Sequence, residues 1–102
     1  MPLSYLLFDF SEGDDDIGLF DAMATVPAAR AAQVQAEVDA VLAWASTFPG
    51  PRGPVEEGGA WEADAHDRPD ADDPALRCFT LSISGCAAFC AAFLARFGDA
   101  VA

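Results

Sequence analysis

Between Leu76 and Phe97 the spacing of apolar residues changes once, and that change limits what the chain can fold into. Phe79, Leu81 and Ile83 recur at every second position, with Cys78, Thr80 and Ser82 between them. This is the pattern of a strand with one buried face. Beyond Ile83 the interval lengthens, and Cys86, Phe89, Cys90, Phe93 and Phe97 fall on one stripe of a helix. Ser84 is placed to cap that helix, Gly85 to occupy its first turn and Gly98 to end it as the C′ residue. Neither a half-apolar strand nor a striped helix is stable alone. Joined this closely, they predict a sheet with a helix laid across one face.

The first half carries the same signals. Leu3 to Phe10 reads as a strand with two largely apolar faces, which predicts a central position in the sheet. The segment Ser11 to Asp16 is a turn by its Gly and Asp content. Ile17 to Val26 alternates and reads as a second strand closing a hairpin, with a short helix or an irregular lead-in as the alternatives. Pro27 to Phe48 predicts a helix, with Val34, Val38, Val41, Leu42, Ala45 and Phe48 on one stripe. Gln33, Gln35, Glu37, Asp39 and Ser46 fall on its other faces. Pro27 suits the first turn, Thr25 can cap nearby, and Pro49-Gly50-Pro51 stops the helix. After a Pro/Gly loop, Gly59 to His66 reads as a half-exposed strand. An acidic loop, Asp67 to Pro74, joins it to Leu76–Ile83 as a hairpin.

The expected fold is therefore α+β, an antiparallel sheet of three or four strands with two helices packed on one face. The order is ββαββα if Ile17 to Val26 is a strand, or βαββα, close to ferredoxin-like, if it is not. In the first case each half is a hairpin with an acidic loop followed by a helix, a pseudo-repeat in structure without residue-level identity. The 102 residues suit a single domain, 1–102.

Charge narrows the partners. Seventeen acidic residues face five basic ones, all Arg, for a net charge of −12. Nucleic acid and anionic membrane surfaces both need a basic footprint, so neither is expected as a partner. A basic protein partner is compatible. There is no apolar run of ~20 residues and no basic leader. Three cysteines outside a secretory pattern read as reduced thiols, so a cytoplasmic location is expected. Abundant Ala and Arg with no Lys suggest a bacterial source.

No cofactor motif is present. The glycines of 50–59 form no phosphate loop, and Ser82-Ile83-Ser84-Gly85 is not a nucleophile elbow. The acidic runs around 12–16 and 67–73 depart from the EF-hand spacing, and Cys78, Cys86 and Cys90 depart from zinc spacing, so no metal site is expected. The one histidine, His66, shares a strand face with Glu62 and Asp64, with Thr80 and Tyr5 as further neighbours. A small enzyme or ligand-binding protein would use His66 as base there. The leading expectation is instead a non-catalytic interaction or oligomerising domain. The helix Cys86 to Phe97 carries Ala87, Ala88, Ala91, Ala92, Leu94 and Ala95 off its Phe stripe, with no acid in an acid-rich chain. Ala87, Ala91, Leu94 and Ala95 are the candidate interface, covered either by the first helix or by another chain, a homodimer being the simplest case.

Overall fold

The alternation of Ile17 to Val26 belongs to a strand. In the computed structural model, which describes residues 3–13 and 16–102, Gly18–Pro27 (β2) is one of two ten-residue strands at the centre of the sheet. The other is Leu76–Gly85 (β4). Phe8–Glu12 (β1) and Trp61–Pro69 (β3) flank them, and the helices are Ala31–Ala45 (α1) and Ala87–Phe97 (α2). The architecture is α+β, in the order ββαββα.

All four strands are antiparallel to their neighbours, in the spatial order β1-β2-β4-β3. Exchanging the two ββα halves maps this order onto itself, so the pseudo-repeat is a property of the topology, with its axis between β2 and β4. Gly18 and Gly85 face each other across that central pair. A Cβ on Gly18 would collide with the Cys90 sulfur, and one on Gly85 with the Phe89 ring. The two glycines thus let the first turns of α2 lie close on the sheet.

Even positions of β2 and odd positions of β4 point to the helices. Phe20, Ala22, Ala24, Leu81 and Ile83 pack there with Val34, Val38 and Val41 of α1 and with Phe89 and Phe93 of α2. Phe93 is at the middle. Its ring stacks on Phe20 at 4.1 Å and meets Phe8 edge-on at 5.1 Å. Trp44 of α1 reaches Phe89, Phe93 and Phe97, so the helices meet along one flank of α2.

Five local expectations differ from what is found. The first strand begins at Phe8, not Leu3, and lies at the sheet edge. The carboxylate of Glu37 on α1 accepts the backbone N–H groups of Ser4, Tyr5 and Leu6, which therefore join no ladder. Glu37 itself is buried rather than solvated. Ser84 and Gly85 do not start α2; they are the last ladder residues of β4, paired to both β2 and β3, and Cys86 takes the N-cap position. Pro27 and Thr25 are likewise strand residues, and α1 is preceded by a short 3₁₀ turn, Ala28–Arg30. Gly98 stays right-handed, because the chain runs on through a further 3₁₀ turn to bury Ala100 and bridge Val101 to Phe8.

Candidate functional site

The side of the sheet away from the helices carries the polar positions in cross-strand rows. One row runs Ser11, Leu19, Ser84, Glu62. The next runs Asp9, Asp21, Ser82, Asp64, and the third sets Met23, Thr80 and His66 side by side. A fourth holds Thr25, Cys78 and Arg68. The pleat fixes these neighbours, since residues opposite each other in a ladder have Cβ atoms about 5 Å apart.

His66 and Thr80 are thus neighbours, as the sequence suggested, and Asp64 lies one row away. Glu62 is four residues along the strand, about 13 Å at the usual rise. It is held by Arg52 at 2.8 Å, and that bond keeps its carboxyl below the usual range. Tyr5 is not brought to this face. Its hydroxyl donates to Gln33 and its N–H to Glu37, both on α1. Beside His66, a shallow depression of about 150 Å³ opens between the β3 edge and α1, lined by Gln35, Val38 and Asp67 among others. It includes none of Glu62, Asp64 or Tyr5. Among the described residues no carboxylate pairs with the imidazole. His66→Ala is expected to change the unfolding free energy by less than about 0.5 kcal/mol, as at an ordinary exposed site. Chemical denaturation of the two proteins side by side checks this.

The acidic loop of β3–β4 has structural work for its carboxylates. Asp70 accepts the N–H groups of Asp72 and Asp73, Asp73 accepts that of Ala75, and Asp67 pairs with Arg77 at 2.7 Å. In the first acidic run, Asp14 and Asp15 lie outside the described residues. Among the described residues no group of three or more His, Cys, Asp or Glu side chains is close enough to hold a metal ion. The three cysteines are unpaired. Cys90 is buried against the core, and that burial pushes its thiol pKa up, away from the reactive thiolate. Cys78 is also buried, but on the opposite side of the sheet, in the row of Thr25 and Arg68.

The tryptophans are used internally. Trp61 is buried and stacks on Phe89, with the Arg52 guanidinium 4.9 Å above it. Among the described residues no helix is long and apolar enough to cross a membrane.

The outer face of α2 remains open. Ala87, Ala88, Ala91, Leu94 and Ala95 are exposed, Leu94 by 39%, because α1 covers the Trp44 flank and not this one. A groove of about 240 Å³ runs between α2 and the β1–β2 hairpin. Ala87, Cys90, Ala91, Leu94, Phe10 and Gly18 line it, with Glu12 and Asp16 on the hairpin side. The sequence singled out Ala87, Ala91, Leu94 and Ala95 as a candidate interface, and all four are exposed. It did not single out Leu7 and Met23, the other two exposed large apolar residues among those described, 57% and 65% accessible. Their signal was present as apolar residues on the polar phase of the alternation. No family model, curated protein or solved structure matches the chain.

Proposed function

We propose that the protein acts by binding proteins rather than by catalysis, and that a second copy docks on the outer face of α2. The observation that carries this reading is the exposure of Leu94 and its alanine neighbours: the first helix leaves that face uncovered. In a chain of net charge −12, a helix face without an acid is where like copies repel least. Alanine side chains also let a partner helix approach closely. The charges at the two ends of α2 suit an isologous contact. Glu12 and Asp16 lie near its first turns and Arg96 in its last. Two copies of α2 packed antiparallel would set each Arg96 towards the other's acidic end, as two-fold symmetry requires.

Light scattering at micromolar concentration is expected to give a dimer. Ala91→Glu, which places a charge at the centre of the contact, is expected to give a folded monomer with an unchanged circular dichroism spectrum. A parent protein that is still monomeric at about 100 micromolar, where a contact worth about 5.5 kcal/mol would be half formed, or a variant that associates as the parent does, counts against this reading.

A further inference from the structure

The face of the sheet opposite the helices has its own unusual feature, independent of α2. Asp9 and Asp21 stand directly across from each other in the β1–β2 ladder. Like charges in that position destabilise a sheet. The Ser82 hydroxyl donates to Asp21, and Asp64 stands on the other side of Ser82, so one row holds three carboxylates. Among the described residues none of the three has a cation as partner. Arg52 is committed to Glu62, and Arg68 lies two rows from Asp64, about 13 Å along the strand.

The adjoining row is apolar where it meets the aspartates. Met23 is 65% exposed, and Leu7 is 57% exposed between the buried Leu6 and Phe8. Leu7 is the residue just before the first β1–β2 ladder pair, Phe8 with Ala22, and Met23 is the β2 residue next to that pair. The isolated chain thus keeps a repulsive carboxylate pair and, next to it, two large apolar side chains in water. Both costs are relieved by the same kind of occupant.

We infer that the open sheet face around Leu7, Met23, Asp9 and Asp21 is a docking surface for a basic protein segment carrying Arg or Lys beside apolar side chains. Charge chooses the occupant. A second copy on this face would bring the same aspartates against these, and nucleic acid or an anionic lipid surface would be repelled equally. An Arg or Lys side chain fits both parts of the patch, because its aliphatic stem covers Met23 and Leu7 while its head reaches the carboxylates.

The test uses three synthetic peptides of equal length on the full chain: alternating Leu and Arg, alternating Leu and Glu, and alternating Gly and Arg. The Leu/Arg peptide is expected to bind, to shift the amide resonances of Leu7, Asp9, Asp21 and Met23, and to weaken as salt is raised. Asp9→Asn combined with Asp21→Asn, or Met23→Ser alone, is expected to lower its affinity about tenfold. Ala91→Glu is expected to leave the affinity unchanged, which separates this surface from the contact on α2. In the free protein Asp9→Asn is expected to raise Tm by a few degrees, about what relief of one cross-strand repulsion gives. The inference is overturned by shifts centred on the acidic loops or on α2, by no measurable Leu/Arg binding, by equal binding of the Gly/Arg or Leu/Glu peptide, or by Asp and Met variants that bind as the parent does.

Discussion

Phe93→Ala is expected to lower the unfolding free energy by about 4 kcal/mol, within the usual range for deleting a buried phenylalanine. Phe93 is fully buried, and its ring meets five others: Phe8, Phe20, Trp44, Phe89 and Phe97. These come from β1, β2, α1 and α2, so no single element can move in to fill the space. The cavity term is then added to the lost transfer energy rather than relaxing away. Since domains of this size are stable by only about 5–15 kcal/mol, the variant should melt about 20 °C lower. Leu94→Ala is the control, because it truncates a large apolar side chain on the exposed side of the same helix. It should cost less than about 1 kcal/mol in the monomer. Thermal unfolding at a concentration low enough to exclude association measures both. Equal losses would mean that α2 is turned relative to the sheet.

The Phe stripe of α2 was readable because two constraints agreed on it. Helical spacing placed Phe89, Phe93 and Phe97 together, and the preceding strand placed Phe79, Leu81 and Ile83 on the surface they cover. The ββαββα order followed from the same agreement once Ile17 to Val26 proved to be a strand. Its alternation survives in β2 as strict burial of Phe20, Ala22, Ala24 and Val26 against exposure of Asp21, Met23 and Thr25. Element ends were less legible, for a physical reason. Ser84-Gly85 is good cap chemistry, but two neighbouring strands pair with those two residues, and the ladder partners Leu19, Glu62, Gly18 and Trp61 outnumber one cap. Such competition is tertiary, and local sequence does not report it.

The surfaces divide in a similar way. Absence of acid on α2 is a property of one element and could be read directly. The acidic row on the open face depends on the registers of three ladders that join four strands. Asp9, Asp21 and Asp64 come into one row only when β1 pairs with β2, β2 with β4 and β4 with β3. The His66 cluster shows the reverse case. Alternation correctly put Glu62, Asp64 and His66 on one face, but strand rise spreads them over about 13 Å, and Tyr5 is drawn away to α1.

Glu37→Ala is expected to cost about 2–3 kcal/mol and to release the segment before β1. The side chain is only 6% exposed, yet its two oxygens accept N–H groups from Ser4, Tyr5 and Leu6 at 2.9–3.1 Å, with a further 3.2 Å contact to Tyr5. One carboxylate thus does for three residues what a neighbouring strand would otherwise do. Hydrogen bonds to a charged acceptor contribute about 1.5–3 kcal/mol each, so three of them would suggest a larger loss. The segment has another course, however. It can leave the surface and give its N–H groups back to water, at the cost of exposing Leu6, worth about 2 kcal/mol. That opening sets the ceiling on the effect. Two consequences separate this account from a simple loss of packing. Amide exchange at Ser4, Tyr5 and Leu6 should become fast, while protection in β2 and β4 falls only in step with global stability. Glu37→Gln should be nearly as damaging as Glu37→Ala, although it is the same size, because its amide presents a donor where two acceptors are needed. The sequence held a hint of this, since Glu37 lies three residues after Val34 and four before Val41, inside the apolar stripe of α1. An ionisable residue at that spacing has either a partner or a cost, and here the partner is the backbone of the chain's own first residues. A Gln variant as stable as the parent, with slow exchange at all three amides, would show that shape and not charge holds the segment in place.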